Sequence, residues 1–350
     1  MNRVVCRFLS VVLLGILVTL GVVPGAARAA AAPAYHITHE VSLPGEEGWD
    51  LLAFEQGGHR LFVSHGTRVL VVDTDTFKVA GEIADTPGVH GIALAPDLGR
   101  GYISAGRANS IVVFDLKTLA RLKEIKTTGE NPDVIVYDAP SHRVFSFNGR
   151  GRNVTAVDAT TDTVLGSIAL DAKPEFAVSD GKGHVYVNLE DKSSLAVIDP
   201  AHLSVTSVWP IAGCQEPSGL AIDAARGLLF PACDNKVMAV VDASSGKVLG
   251  TAPIGEGVDG ADFDPATNLA FASCGEGVLT VVRAGKSGRP EVVAAAKTQP
   301  AARTMALDRA SHRVFLVTAN FAPAPAATPE HPHPRGAILP GTFRLLVLEP

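Results

Sequence analysis

The sequence predicts an all-β fold, a seven-bladed β-propeller built from four-stranded antiparallel blades. Two anchors recur in step along the chain, at intervals of 41 to 43 residues over most of its length. Short apolar runs alternate with turns rich in Gly, Asn, Asp and Pro, and no long stretch shows helical periodicity. A unit of four short strands that is repeated seven times is typical of a propeller.

The first anchor is an apolar pair followed by an acid and a polar turn. A carboxylate at this place can accept hydrogen bonds from N–H groups two or three residues on and so close a hairpin. The acids of five successive units are 42, 43, 41 and 43 residues apart: Asp73, Asp115, Asp158, Asp199 and Asp242. A sixth copy carries Arg283 instead, and a seventh, after a longer interval, carries Glu349.

The second anchor is a short apolar strand, usually ending in Asp, that precedes a strand with a central aromatic or apolar residue. We expect this apolar strand to be the innermost of its blade and to be buried on both faces. Seven copies are present: Leu51–Glu55, Gly91–Ala95, Val134–Asp138, Phe176–Asp180, Gly219–Asp223, Gly260–Asp264 and Thr304–Asp308. One blade cannot bury both faces alone, so the ring must close on itself.

The two ends of the chain predict how the ring closes. The last unit supplies only three strands, and a spare strand of suitable pattern lies at His36–Leu43. We therefore expect the N-terminal strand of the mature chain to complete the last blade.

The first 29 residues have the pattern of a secretory signal. Arg3 and Arg7 precede an apolar run over 8–23, and 27–29 reads Ala-Arg-Ala, a small-x-small cleavage site. We expect cleavage near Ala29, a periplasmic or secreted location, and a single propeller domain over 30–350 that is a monomer. The mature chain would keep 27 basic and 36 acidic residues, a net charge of −9. It shows no basic cluster for nucleic acid and no further transmembrane segment.

The repeat signature resembles a known family. The run Tyr186-Val187-Asn188 and the Val197-Ile198-Asp199 punctuation are similar to those of the YVTN-repeat, or YncE-like, propellers of bacterial envelopes. The resemblance covers 35–350 and implies a seven-bladed, exported scaffold or binding protein with no settled reaction.

Polar residues at the start of the inner strands are candidates for a ligand-binding site. The residue five positions before the end of each inner strand should point to the mouth of the central channel. These residues are Asp50, His90, Asp133, Glu175, Ser218, Asp259 and Arg303. Four acids in a narrow ring would favour a bound divalent cation or raised pKa values. The alternative is the ordinary wet and polar entrance of a propeller channel.

An insertion over 320–341 separates the second and third strands of the last blade and contains six prolines. Long irregular loops of this kind often have a function, and we expect this one to cover the mouth. Its residues His331 and His333 alternate with proline and are weak candidates for a transition metal, the alternative being a solvated loop.

Three cysteines remain after the signal segment. Cys214 precedes the inner strand of the fifth unit and Cys233 follows its second strand, so both should lie on the mouth face of adjacent strands. A Cys214–Cys233 disulfide with a free Cys274 is expected, and Cys233–Cys274 is the competing pair.

The residues leave three functions open. The first is a non-enzymatic propeller that binds a small ligand or an envelope protein at the channel mouth. The second is a lactonase-like or metal-assisted hydrolase that uses the mouth acids with His90 and Arg303. The third is a propeller subunit of an envelope redox complex.

Overall fold

The computed structural model describes Met1, residues 34–326 and residues 336–350. The predicted signal segment and the pair His331 and His333 therefore lie outside the described residues. Within the described part, twenty-eight strands form seven antiparallel sheets of four strands each, arranged as the blades of a propeller. The predicted fold class is confirmed.

The first three blades follow the chain order from the channel outward. Blade 1 consists of β2 (Trp49–Glu55), β3 (Arg60–His65), β4 (Arg68–Asp73) and β5 (Lys78–Ile83). Blade 2 consists of β6 (Val89–Ala95), β7 (Arg100–Ala105), β8 (Ser110–Asp115) and β9 (Arg121–Lys126). Blade 3 consists of β10 (Pro132–Asp138), β11 (Arg143–Asn148), β12 (Asn153–Asp158) and β13 (Thr163–Ala169).

The next three blades repeat the same order. Blade 4 consists of β14 (Pro174–Ser179), β15 (Val185–Leu189), β16 (Ser194–Asp199) and β17 (Ser204–Pro210). Blade 5 consists of β18 (Pro217–Asp223), β19 (Leu228–Cys233), β20 (Val237–Asp242) and β21 (Val248–Pro253). Blade 6 consists of β22 (Val258–Asp264), β23 (Leu269–Cys274), β24 (Val278–Ala284) and β25 (Pro290–Lys297).

Blade 7 contains both the first and the last of the twenty-eight strands. It consists of β26 (Met305–Asp308), β27 (Arg313–Thr318), β28 (Arg344–Glu349) and, outermost, β1 (His36–Ser42). Strand β1 pairs with β28 from His36 opposite Glu349 to Ser42 opposite Arg344. The prediction that the N-terminal strand completes the last blade is confirmed. In addition, Tyr35 packs edge-on against Phe271 of blade 6 and donates a hydrogen bond to the carbonyl of His312.

The core lies between the blades, on their second and third strands. One cluster joins Phe62 and Val71 of blade 1 to Ile103, Val112 and Phe114 of blade 2. Strand β3 is buried at five of its six positions, whereas the inner strand β2 is buried at only one of seven. Strands β6 and β18 are buried at five of seven positions, so the expected burial of the inner strands on both faces is met only in part, because the first strand of each blade borders the channel.

The hairpin turns have the local chemistry that the first anchor predicts. The Asp73 carboxylate accepts hydrogen bonds from the backbone N–H groups of Asp75 and Thr76, at 3.1 and 2.7 Å. Asp242 accepts equivalent bonds from Ser244 and Ser245, both at 3.0 Å. Such bonds lower the pKa of both carboxyls, chiefly through the hydroxyls of Thr76 and Ser244, and fix the turns.

Helical structure among the described residues is limited to four 3₁₀ turns: Pro96–Leu98, Gly106–Ala108, Ala139–Ser141 and Glu190–Lys192. None of the helices in this part of the chain is long and apolar enough to cross a membrane.

Candidate functional site at the channel mouth

The inner strands begin with an irregularity that redirects their polar side chains. In the described residues, six of the seven shift register near their first residues, as β2 does between Trp49 and Leu52. A bulge inserts an extra residue and changes the direction of its side chain. Six predicted mouth residues lie at this point: Asp50, His90, Asp133, Glu175, Ser218 and Asp259.

The structure brings all seven predicted mouth residues into the lining of one cavity of about 260 Å³. Arg303, which precedes β26, completes the set. Two charged residues that sequence reasoning missed line the same cavity, namely Lys173 and Glu190. The signal for Lys173 was its place two residues before Glu175, on the loop that enters the same inner strand.

Hydroxyls of the second strands hold the irregular backbone in place. Ser64 accepts a hydrogen bond from the N–H of Asp50 at 2.8 Å. Ser104 accepts one from Gly91 at 2.8 Å and donates one to the carbonyl of Asp133 in the next blade. Ser273 likewise donates to the carbonyl of Arg303, at 2.5 Å. The mouth residues of adjacent blades are therefore tied together through buried serines.

His90 is the cationic centre of the acidic side of the cavity. Its Nδ1 lies 2.5 Å from Oδ2 of Asp50 and 3.8 Å from Oδ1 of Asp133. Burial by itself disfavours the charged ring, but the hydrogen bond to Asp50 and the charge of Asp133 outweigh it. Together they raise the pKa of His90 to about 9, so the imidazole carries a proton at neutral pH.

Two acids of the cavity titrate far above their ordinary range. Burial, together with the charges of Asp50 and Asp259, raises the pKa of Asp133 to about 6 against the opposing effect of His90. Burial and the Asp133 charge also raise the pKa of Glu175 to about 8. At neutral pH the Glu175 carboxyl is therefore largely protonated and can donate a hydrogen bond.

Lys173 forms the second charged group of the cavity. Its Nζ lies 2.5 Å from Oε1 of Glu175 and also contacts Oε2 of Glu190. Burial lowers the pKa of the Lys173 ammonium, but the hydrogen bonds to the two glutamates outweigh it and raise that pKa above its usual value. The ammonium consequently stays charged.

The third group is a polar chain across blades 5, 6 and 7. Ser218 donates a hydrogen bond from Oγ to Oδ1 of Asp259 at 2.9 Å. The Arg303 guanidinium binds the other oxygen of Asp259, also at 2.9 Å. The ring thus contains cationic hydrogen-bond donors beside acidic acceptors, and its charge is not uniformly negative.

A wider vestibule of about 880 Å³ opens above this side of the ring. Its apolar wall includes Trp49, Phe321 and Ile338, and it shares Ser218, Asp259 and Arg303 with the ring cavity. Phe321 and Ile338 belong to the described flanks of the insertion over 320–341, where they form a β-bridge. These flanks border the mouth. The sequence indicated a loop here but not the aromatic partner Trp49.

The ring contains one group with the donor types of a metal site. Asp50, His90 and Asp133 each offer one atom, and these three atoms lie within 4.8 Å of one another. Imidazole and carboxylate together suit zinc and other first-row divalent ions.

The cysteines lie at the edge of the same face. Cys214 and Cys233 form a disulfide with a Cα–Cα distance of 5.5 Å, and Cys274 is a buried free thiol. Burial raises the pKa of the Cys274 thiol to about 12, so it is unreactive at neutral pH.

Comparison with known proteins supports the propeller fold. No family model matches the chain, and no curated protein matches it either. Among solved structures, hydrazine synthase of Kuenenia stuttgartiensis is similar with a TM-score of 0.69 and 17% identity, over 78% of this chain and 93% of that one.

Two further solved structures have the same architecture. The structure of U3-55K aligns with a TM-score of 0.73 at 9% identity, over 87% of this chain and 97% of that one. The RRP9 WD40 repeats align with a TM-score of 0.74 at 9% identity, over 88% and 97% of the two chains. At these identities the similarity supports the propeller fold alone.

Proposed function

We propose that this chain binds a small polar ligand at the mouth of its central channel, as a binding protein rather than an enzyme. The observation that carries the proposal is the convergence of seven side chains, one from each blade, on one cavity of about 260 Å³. Such a volume holds roughly nine water molecules at about 30 Å³ each. A concave site with a few convergent polar groups is the usual form of a ligand pocket.

The shape of the mouth favours a small molecule over a protein partner. The ring side chains are largely buried, with Asp133, Glu175 and Asp259 each below 20% exposed. A flat protein surface would contact only the rim, whereas a small molecule can enter from the vestibule beside Trp49 and Phe321. The ligand would carry both donors and acceptors, because the cavity offers the charged donors His90 and Arg303 beside acidic acceptors.

The protonation of Glu175 gives the proposal a pH dependence. A ligand that accepts a hydrogen bond from the neutral carboxyl would bind best below the pKa of Glu175, about 8. Above that pH the carboxyl group loses its proton. The affinity for the ligand should then fall by up to tenfold for each unit of pH. The variant Glu175→Gln retains a neutral donor, so its binding should not weaken between about pH 8 and the pKa of His90, about 9.

Native mass spectrometry of protein purified from its own cells tests the proposal. We expect a small-molecule adduct that is lost in Asp133→Asn and in Arg303→Gln, since both side chains face the cavity. Asp75→Asn is the matched control, because Asp75 lies in an exposed hairpin turn. A wild-type protein without an adduct, or an adduct that both ring variants retain, would refute the proposal.

A metal-assisted hydrolase is the second candidate, and the cluster of Asp50, His90 and Asp133 favours it. A divalent ion on these residues would have to displace the proton of His90, so metal affinity should rise with pH. Elemental analysis after dialysis should then show near-stoichiometric metal in wild type and none in Asp133→Asn. Metal-free wild-type protein would exclude this candidate.

We further propose that the chain is an exported member of the YVTN-repeat propellers. The pattern of residues 1–29 and the Tyr186-Val187-Asn188 repeat support this assignment. N-terminal sequencing of protein from the envelope fraction should begin near Ala30. Recovery of the intact N-terminus in the cytoplasmic fraction would contradict export.

A further inference from the structure

A second cavity of about 560 Å³ lies at the mouth beside blades 2 and 3. It shares Trp49 with the vestibule and Asp50 and His90 with the ring cavity. Two arginines line it, Arg107 from the 3₁₀ turn after β7 and Arg150 from the turn after β11. We propose that this cavity is an anion subsite, at which Arg107 and Arg150 bind a carboxylate or phosphate group of the ligand.

The two arginines differ from the other cations of the mouth because no acid among the described residues pairs with them. His90 pairs with Asp50, Lys173 with Glu175 and Glu190, and Arg303 with Asp259. Arg152, which shares a turn with Arg150, pairs with Asp191 at 2.7 Å.

Within the described part of the chain, neither Arg107 nor Arg150 has a carboxylate oxygen within 4.0 Å, although Glu130 lines the same cavity. Their guanidinium groups are exposed and available, and a planar guanidinium can bind a carboxylate or phosphate through two parallel hydrogen bonds.

Amide side chains and glycines shape the rest of the cavity. The side-chain oxygen of Asn109 accepts a hydrogen bond from the N–H of Asn131 at 2.8 Å, which leaves the Asn109 amide group as a donor. Gly106 keeps the floor open, because a Cβ there would lie 2.8 Å from Nε2 of His90 and 2.9 Å from Oδ1 of Asn131. The donor groups of Arg107, Arg150 and Asn109 therefore line an open space that borders the ring, together with the acids Asp50 and Glu130.

The cationic and acidic side chains of the mouth are unevenly divided between the two cavities. The cavity beside blades 2 and 3 is lined by Arg107, Arg150 and the protonated His90 together with the acids Asp50 and Glu130. The vestibule on the side of blades 5 to 7 is lined by one cation, Arg303, and by four acids: Glu190, Glu216, Asp234 and Asp259. An anionic group would be attracted to the first side and repelled from the second. A ligand in the ring would consequently bind with its anionic end toward Arg107 and Arg150.

Calorimetric titration with inorganic phosphate and, separately, with succinate tests the subsite. We expect wild type to bind at least one of the two anions, more weakly at high salt, and the double variant Arg107→Gln/Arg150→Gln to lose about tenfold or more in affinity. Arg289→Gln is the matched control, because Arg289 is exposed and lies on an outer hairpin of blade 6 away from the mouth.

Tighter binding of phosphate would indicate a phosphate-bearing ligand, and tighter binding of succinate a carboxylate-bearing one. Equal affinity in the wild type and the double variant, or no binding of either anion by wild type, would overturn the inference. Both arginines are exposed and form no ion pair with the residues in 34–326 and 336–350, so the double variant should retain the melting temperature of wild type. The result is independent of the ring variants: anion binding would persist in Asp133→Asn even if no natural adduct exists.

Discussion

Removal of the Tyr35 side chain should weaken the closure of the propeller. Tyr35 is only 5% exposed, and its ring lies 5.2 Å from that of Phe271 at an interplanar angle of 78°. Its hydroxyl donates a 3.0 Å hydrogen bond to the carbonyl of His312. The side chain thus joins the start of the N-terminal strand to both blade 6 and blade 7.

The magnitude follows from burial. Loss of a buried aromatic ring costs about 4 kcal/mol of unfolding free energy in Tyr35→Ala. Tyr35→Phe keeps the ring and loses one hydrogen bond, at a cost of about 1 kcal/mol. For a chain of this size, each kcal/mol lowers the melting temperature by about 2 °C, so the two variants should melt about 8 and about 2 °C below wild type.

Differential scanning calorimetry measures these shifts, and deletion of residues 34–43 extends the series. That deletion removes all of β1, leaves the edge of β28 unpaired, and should destabilise the protein more than Tyr35→Ala does. His36→Ala is the control, because His36 is exposed at the start of the same strand. If Tyr35→Ala and the deletion both had the melting temperature of wild type, the stability of the ring would not depend on this strand and the reasoning would be wrong.

Three further predictions concern the disulfide, a buried serine and a buried histidine. Cys214→Ser/Cys233→Ser should lower the unfolding free energy by about 3 kcal/mol, because the disulfide closes a loop with a sequence separation of 19. Thiol titration of the unfolded wild-type chain without residues 1–29 should find one free thiol, that of Cys274, and three free thiols would contradict the disulfide. Ser104→Ala should cost about 2 kcal/mol in chemical denaturation, because the N–H of Gly91 and the carbonyl of Asp133 both lose their partner; a cost equal to that of the exposed control Ser311→Ala would contradict this role. Burial, with the Arg68 charge, lowers the pKa of His65 below 6.5, so the unfolded chain takes up the proton first and the stability contributed by neutral His65 is lost as pH falls below 6.5. His65→Asn should therefore lose less unfolding free energy than wild type between neutral pH and pH 5, and equal losses would contradict the assignment.

The ring residues could be predicted from the sequence because each of them stands at a fixed offset within its own inner strand. The end of each inner strand fixes which residue faces the channel, and the offset of five identified Asp50, His90 and Asp133 without any knowledge of the fold around them. The same offset could not show that a bulge displaces these residues, since register shifts depend on pairing with the second strand. It also could not show that Ser104 ties two blades together.

The partners of the charged residues were beyond sequence reasoning. Arg150 and Arg152 stand two positions apart in one glycine-rich turn, yet Arg152 pairs with Asp191 of the next blade and Arg150 faces the mouth. Likewise, Lys173 and Glu190 enter the ring cavity from loops whose path depends on the packing of whole blades. Pairing between blades is set by tertiary structure, so the electrostatic character of the mouth emerges only in the folded ring.

The pairing of β1 with β28 has a consequence for the order in which the molecule can be completed. The ribosome makes His36 more than three hundred residues before its partner Glu349, so β1 has no strand partner until β28 has been made. Each of the six intervening blades can assemble as it is synthesised, but blade 7 can be completed only after β28 has been made. A messenger truncated just before β28 would therefore yield a chain in which β1 has no partner and one edge of β27 is unpaired, a species prone to aggregation.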